Sequence, residues 1–88
     1  MTWTIEWDER ARRELRRLDP SVQREILAFL RQRIAVDENP RRYGKALRHA
    51  LQGLWRYRIR DHRVVCRIQD DRVVVLVLKV GHRSKVYG

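Results

Sequence analysis

Four arginines in the second half of the chain are the residues best suited to act on a phosphate group. Arg56 and Arg58 alternate with aromatic and aliphatic residues over 54–60, Arg63 opens the next apolar stretch, and Arg83 follows a long run of valine and leucine. Guanidinium groups form charge-assisted hydrogen bonds with phosphate oxygens and stabilise charge that develops on phosphorus without a metal ion. If strands and turns bring these side chains together, they predict a site that grips one phosphodiester.

Two residues near the C-terminus could move protons in such a site. His82 and Tyr87 have ordinary pKa values near ~6.5 and ~10. RNA also carries its own nucleophile, the 2′-hydroxyl beside each phosphate, so a protein that orients this group and neutralises the phosphorane needs little else. The residues alone leave three alternatives open: catalysis, binding of a nucleic acid or acidic protein, and a solvated basic surface.

Other catalytic signatures are missing from the sequence. There is no glycine-rich phosphate loop and no Cys/His spacing typical of a metal site. Asp61, Asp70 and Asp71, the carboxylates of the second half, fall where turns are predicted, which is typical of turn-forming aspartates. We therefore expect no metal and no cofactor.

The formal charge of +10 comes entirely from the second half of the chain. Residues 1–40 contain eight Arg and eight acidic residues, whereas residues 41–88 contain thirteen Lys and Arg and three Asp. Such a distribution favours a scaffold that presents a cationic surface to RNA, DNA or an acidic protein. Beyond the four arginines above, the basic residues predicted to contact RNA are Arg41, Arg42, Lys45, Arg48, Arg60 and Lys85.

The first half of the chain predicts a strand and two helices. Residues 3–7 alternate apolar and polar side chains, as in a half-buried strand. Asp8 is a candidate N-cap for a first helix, and Asp19-Pro20 begins a second, because proline is favoured at the first helical position. An apolar stripe extends this second helix to about Val36. The helices should form a hairpin with facing apolar sides.

The second half predicts a basic loop over 41–53 followed by three strands. The strands cover 54–60, 63–68 and 73–80; an Asp61-His62 turn joins the first two, and Gly81 ends the last. Pleating should place Arg56, Arg58 and Arg60 on one face. The near-continuous apolar run of 73–80 is expected to form the central strand.

These elements predict an α+β fold of order β-α-α-β-β-β over residues 1–88. A helical hairpin packs on a small, mainly antiparallel four-stranded sheet, and 88 residues leave room for one domain. The single cysteine, Cys66, fits a reducing compartment. No stretch approaches the ~18 apolar residues of a membrane span, so we expect a cytoplasmic protein without a membrane partner.

Taken together, the elements resemble the RelE/ParE superfamily, the toxins of bacterial and archaeal toxin–antitoxin pairs. The resemblance covers nearly the whole chain. Beyond the order of elements, it rests on four segments. Residues 51–58 lead into the second predicted strand, residues 63–65 begin the third, residues 80–83 end the apolar run, and Lys85-Val86-Tyr87 lies near the end of the chain. It implies a RelE-like fold for the domain.

The superfamily divides by target, and the resemblance favours one branch. RelE-like toxins enter the ribosomal A site and cut mRNA without a metal by 2′-hydroxyl attack, whereas ParE-like toxins poison DNA gyrase. The basic residues match the RelE-like pattern, which implies an mRNA interferase, an endoribonuclease that inhibits translation. By this similarity Arg63 and Arg83 clamp the scissile phosphate, and Arg83 helps to protonate the leaving oxygen. Arg56 and Arg58 stabilise charge, and Tyr87 lies against the attacking hydroxyl.

The chain departs from the RelE-like pattern at two places. Arginine stands at 56 and 58, where lysine is common, and arginine is a poorer proton shuttle because its pKa lies above ~12. The segment between Gly81 and Tyr87 is short. His82 is therefore an alternative general base or acid.

The resemblance also implies partners. These are an acidic, RelB-like antitoxin, the 70S ribosome and mRNA, with a monomeric toxin that forms a heteromeric complex. An acidic chain folding across the basic half would gain both steering and contact area. Two alternatives remain at this stage: a ParE-like gyrase poison without nuclease activity, and an inactive module that binds RNA or antitoxin.

Overall fold

The computed structural model describes residues 2–85, so Tyr87 lies outside the described residues. Besides the main elements given next, two short 3-10 helices cover Pro40–Arg42 and His49–Leu51. In chain order the main elements are β1 (Thr4–Trp7), α1 (Glu9–Arg16), α2 (Pro20–Phe29), β2 (Lys45–Ala46), β3 (Trp55–Ile59), β4 (His62–Gln69) and β5 (Val74–His82).

The helices begin where the sequence predicts. The Asp8 carboxylate accepts a hydrogen bond from the Arg10 backbone N–H and caps α1, while Pro20 occupies the first turn of α2. After Phe29 the chain continues as a π-helical turn, Leu30–Ile34, so the helical segment ends slightly before the predicted Val36. The predicted helical hairpin is thereby confirmed.

The sheet has the order β1-β5-β4-β3-β2, in which β1 runs parallel to β5 and the other pairs are antiparallel. The mainly antiparallel α+β fold is confirmed, but the strand count of four is short by one. Lys45 and Ala46, predicted as loop, pair with Arg56 and Trp55 and add β2 at one edge. Residues 73–80 were predicted to form the central strand. The strand β5 is an interior strand of the sheet, but β4 occupies the middle position.

Two predicted strand boundaries in the second half are wrong. His62 belongs to β4, so the turn after β3 consists of Arg60 and Asp61. Gly81 does not end the last strand, because β5 continues through it to His82, and Gly81 lies directly opposite Arg63. The side chain of Arg63 therefore faces a neighbour that has no side chain of its own.

The hydrophobic core lies between the helices and one face of the sheet. Tyr57, Val64, Cys66 and Val77 are buried there, with the apolar side of the helices packed over them. Burial raises the pKa of the Cys66 thiol, which keeps this lone cysteine in its protonated form. In the described part of the chain, no helix is long and apolar enough to cross a membrane.

A bulge in β5 ties the end of that strand to α1. Val65 pairs with Lys79 but the next residue, Cys66, pairs with Val77, so the register shifts at this point. Just beyond the shift, the Val80 backbone N–H donates a 2.9 Å hydrogen bond to the Glu14 carboxylate of α1. Helix α1 thus fixes the part of β5 that leads to Arg83.

Candidate functional site

Arg56, Arg58 and Arg63 lie on the face of the sheet opposite the two helices. Tyr57, which lies between Arg56 and Arg58, is buried in the core, and so is Ile59, which follows Arg58. Successive side chains of a strand alternate between faces, so the arginines point the other way. Arg58 and Arg63 are paired directly across β3 and β4.

Arg83 reaches the same end of the sheet from β5. Its backbone N–H donates a 2.8 Å hydrogen bond to the carbonyl oxygen of Asp61, in the turn between β3 and β4. Its positive charge is close enough to contribute to lowering the pKa of Arg63. The structure therefore brings all four arginines of the predicted phosphate site together, from the strands β3 and β4 and the residue after β5.

Arg63 is the most unusual member of this cluster. It is only 7 % exposed, and its Nη1 donates hydrogen bonds of 3.1 and 3.2 Å to the carbonyl oxygens of Arg60 and His62. Among residues 2–85, its Nε has no hydrogen-bond partner. Leaving a buried charged donor unpaired is costly, so the site suits an anion that supplies acceptor oxygens.

The electrostatics of the cluster favour the same ligand. Burial lowers the pKa of Arg63, and the positive charges of Arg58, Arg56 and Arg83 lower it further; Asp61 alone acts against them. Such guanidinium groups neutralise a phosphate and would bind more strongly to a phosphorane, which carries greater charge.

His82, one of the two predicted proton-transfer residues, is not brought to this cluster. His82 shares its face with Val80, on the helix side of the sheet, where its ring lies edge-on to His62 at 5.6 Å between centroids. Its Nδ1 is 2.9 Å from the Ser84 hydroxyl. Tyr87 lies outside the described residues, so its role stays a prediction.

Arg41 and Arg42, predicted to contact RNA, take part in ion pairs. Arg41 forms two hydrogen bonds of 2.9 Å with the Asp70 carboxylate, and Arg42 lies 3.1 Å from the carboxylate of Asp37. Both guanidinium groups remain partly exposed. They contribute to local structure and have less charge to offer a polyanion.

The prediction that Arg60 shares a face with Arg56 and Arg58 is wrong. Arg60 follows the end of β3 and has a φ of 55°, in the left-handed region. This conformation directs its side chain toward the helices, where Nε lies 2.6 Å from the Glu25 carboxylate on α2. Strand alternation does not extend into a tight turn, which is why the sequence pattern fails at this residue.

Lys45 and Arg48 extend the basic surface along the sheet edge, whereas Lys85 does not. Lys45 pairs with Arg56 across β2 and β3, and both border a depression of about 530 Å³ that Arg48 also lines. Lys85 lines a separate depression of about 370 Å³ beside Glu14 of α1.

Sequence reasoning missed Arg67 as a member of the helix-free face. It is exposed and pairs with Leu76 in the β4–β5 register. The strand alternation carries the signal, because residues 63, 65 and 67 of β4 fall on one face. Within residues 2–85, no group of three His, Cys, Asp or Glu side chains is arranged to hold a metal ion.

Comparison with known proteins identifies similar chains over the full length. A family model described as the ParE toxin of type II toxin–antitoxin systems matches residues 5–87. Toxin RelG of Mycobacterium tuberculosis is 32 % identical over 87 residues, covering 99 % of this chain and 98 % of the relative. The mRNA interferase toxin RelE of Escherichia coli is 33 % identical over 92 residues, covering 100 % and 93 %.

The fold is similar to solved structures as well. A chain in the crystal structure of the toxin–antitoxin complex RelBE2 from Mycobacterium tuberculosis superposes with a TM-score of 0.86 at 30 % identity, covering 97 % of this chain and 95 % of that one. A mutant of Escherichia coli RelE in the free state superposes with a TM-score of 0.79 at 28 % identity, covering 98 % and 88 %.

Proposed function

The chain belongs to the RelE/ParE family of type II toxins, and from this premise we propose that it is a ribosome-dependent endoribonuclease that cleaves mRNA in the A site. As a RelE-type toxin it has relatives named mRNA interferases. One observation carries the proposal: buried Arg63, whose Nε has no hydrogen-bond partner among residues 2–85, lies among three further guanidinium groups.

The chemistry that this cluster can support is an internal transesterification. The 2′-oxygen of a bound nucleotide forms a bond to the adjacent phosphorus as its proton leaves, and the bond from phosphorus to the 5′-oxygen breaks as that oxygen takes up a proton. The products are a 2′,3′-cyclic phosphate and a 5′-hydroxyl. Arg63 and Arg83 would hold the phosphate, and Arg58 and Arg56 would stabilise the added charge of the phosphorane.

Proton transfer is assigned by similarity to Tyr87 and to Arg83. Tyr87 would lie against the attacking hydroxyl, and Arg83 would assist the leaving oxygen. Arg56 and Arg58 serve as fixed charges that stabilise the phosphorane. Positioning and charge stabilisation therefore account for most of the proposed rate enhancement.

The proposed partners are the ribosome, mRNA and an acidic antitoxin. A similar chain is found in the RelBE2 toxin–antitoxin complex, which supports an antitoxin for this toxin too. The charge of +10 supports strong, salt-dependent attraction to ribosomal RNA and mRNA.

The experiment is induction of the protein in a bacterial host, followed by mapping of the 5′ ends of cellular mRNAs. We expect translation arrest and new ends within translated codons, with cleavage of purified mRNA only when ribosomes are present. Arg83→Ala should reduce cleavage by about 100-fold or more, as loss of one donor to a charged transition state does. Arg33→Ala, which removes an exposed arginine of the π-helical turn, is the matched control.

Two results would contradict the proposal. Folded Arg83→Ala protein that stays fully toxic would remove Arg83 from the site. DNA damage with intact mRNA would instead identify a gyrase poison of the ParE type, the other activity within this family.

A further inference from the structure

Two histidines outside the arginine cluster are brought together by the sheet. His62 begins β4 and His82 ends β5, and the two residues lie directly opposite each other in the antiparallel pair. Side chains of a directly opposed pair project from the same face of a sheet. Here that face is the helix side, whereas Arg63 points to the other side. The two rings are therefore neighbours in space although they are far apart in the sequence.

The two imidazole rings have the separation that a shared metal ion requires. Their centroids are 5.6 Å apart, and the ring planes are inclined at 86°. With metal–nitrogen bonds of about 2.0–2.1 Å and a tetrahedral angle at the metal, two imidazoles on one ion have centroids about 5 Å apart. Small side-chain rotations would thus be enough to bring both rings onto one ion. His82 is exposed and His62 is partly exposed, so an ion from solvent can reach them.

The ring of His82 is oriented by Ser84. Its Nδ1 lies 2.9 Å from the Ser84 hydroxyl and 3.2 Å from the Ser84 backbone nitrogen, in a turn closed by a 2.8 Å hydrogen bond from the Lys85 N–H to the His82 carbonyl oxygen. A histidine that binds a metal through one nitrogen commonly donates the other N–H to an oxygen. With Nδ1–H donated to the Ser84 hydroxyl, Nε2 presents its lone pair to the ion.

The surroundings of the pair select the kind of cation. Glu14, whose carboxylate lines the same depression as His82, accepts a hydrogen bond from the Val80 backbone N–H. Among residues 2–85, no third His, Cys, Asp or Glu completes a larger set of ligands. Arg17 and Lys85 add positive charge to the depression. Two imidazoles suit a late first-row ion such as Zn²⁺, whereas Mg²⁺ and Ca²⁺ require oxygen ligands.

We propose that His62 and His82 bind one Zn²⁺ ion, with water in the remaining positions of its coordination sphere. With only two protein ligands the ion exchanges with solvent, so occupancy follows the concentration of free zinc. Each ligand directly precedes Arg63 or Arg83 of the phosphate site. Bound zinc would therefore join the ends of β4 and β5 at the positions from which these arginines project. The ion would lie on the other face of the sheet from the arginine cluster, apart from the proposed cleavage chemistry.

The test is calorimetric titration of zinc chloride into the full-length protein without an affinity tag, at about pH 7.5, where imidazole is mostly neutral. We expect one ion per chain and a Kd on the order of 10 μM, much weaker than that of a structural site with four protein ligands. Magnesium chloride should give no binding heat. In NMR spectra of the wild type, zinc should shift the ring nitrogens of His62 and His82 and leave those of His49 unchanged.

Variants identify the ligands, and circular dichroism verifies that each is folded. His62→Asn and His82→Asn should each weaken zinc binding at least 10-fold, because each removes one of two ligands. Ser84→Ala should weaken it about three- to tenfold with the stoichiometry unchanged. His49→Asn is the matched control and should bind zinc as the wild type does. His49 lies in the 3-10 segment His49–Leu51 with a φ of 57°, a conformation that asparagine tolerates.

Three results would overturn the proposal. Absence of zinc binding by the wild type at about 1 mM, far above the expected Kd, would identify the histidine pair as a packing contact between rings. Equal weakening in His49→Asn and His82→Asn would show that zinc binds without a defined site. Zinc-dependent shifts of ring nitrogens at His49 alone would place the ion elsewhere, and this measurement needs no variant to fold.

Discussion

Arg58 on β3 lies directly opposite Arg63 on β4, so two like charges share one cross-strand pair. Like charges in this arrangement destabilise a sheet, and the charge of Arg58 is the main cause, after burial, that lowers the pKa of Arg63. An anion bound between them removes the repulsion. Ligand binding at this site should therefore increase the stability of the fold.

We predict that inorganic phosphate stabilises the protein against heat more than chloride does at equal ionic strength. At ten times its Kd, a ligand that binds only the folded state adds about 1.4 kcal/mol. For a domain of this size, that corresponds to a rise of about 5–10 °C in Tm. Thermal unfolding followed by circular dichroism in the two salts provides the measurement.

Variants of two arginines locate the effect. Arg58→Gln should lose most of the phosphate-dependent rise in Tm, because it removes one side of the pair. Arg33→Gln, in the π-helical turn, should keep it. Equal rises in both variants would show that phosphate acts as a general stabilising salt and that the Arg58–Arg63 pair is not its site.

A second prediction concerns Gly44, beside the candidate site. Its φ is +83°, and a Cβ at this position would overlap the carbonyl oxygen of Arg56. Gly44→Ala must therefore displace β3 as well as adopt a left-handed backbone. We expect a loss of about 3 kcal/mol or more and a marked loss of cleavage, measured by urea unfolding and by mRNA cleavage.

Gly53 provides the comparison for Gly44. Its φ is +95°, but a Cβ there would meet no atom within 4 Å. Gly53→Ala should cost about 1–2 kcal/mol, the backbone strain alone, and leave cleavage intact. If both variants lost the same stability, steric displacement of β3 would not be the cause.

A third prediction concerns the buried hydroxyl of Tyr57. It donates a 2.8 Å hydrogen bond to the carbonyl oxygen of Pro40, and burial raises the pKa of the phenol. Tyr57→Phe leaves that carbonyl unsatisfied, so we expect a loss of about 1–3 kcal/mol in the free energy of unfolding. Tyr43→Phe, whose ring packs edge-on against Phe29, should change it by less than about 0.5 kcal/mol. Urea titration distinguishes the two outcomes.

The fold was largely predictable because its strong signals are local. The Asp8 cap, the Pro20 start and the apolar spacing of α1 each depend on residues within one or two turns of helix. The added strand β2 was not predictable, because Lys45 and Ala46 form a strand only where the segment after α2 folds against β3. Two residues carry too little alternation to signal a strand.

The candidate site was predictable in part for the same reason. Alternation along β3 was sufficient to predict that Arg56 and Arg58 share one face, and the short turn to β4 was sufficient to predict that Arg63 can converge with them. The position of Arg60 depends on a left-handed turn and on Glu25 in a distant helix, so the local pattern gave the wrong face. The burial of Arg63 likewise depends on tertiary packing that no local pattern contains.

A fourth prediction concerns the stability of the protein in acid. The bidentate pair of Arg41 and Asp70 joins the segment after α2 to the turn before β5. The Arg41 hydrogen bond holds the pKa of Asp70 below its ordinary value. Because the folded pKa is lower than the unfolded one, the stabilisation is complete above the unfolded pKa of about 3.9. It is lost as the pH falls through the folded pKa.

Asp70→Asn should therefore lower the Tm at neutral pH, by an amount that corresponds to less than about 1 kcal/mol because the pair is exposed. The difference from wild type should shrink as the pH falls below about 4 and vanish below the folded pKa. Asp71→Asn, an exposed neighbour in the same turn, is the control and should show no such trend. A Tm difference that stayed constant down to strong acid would mean that Asp70 stabilises the turn through its shape and not through its charge.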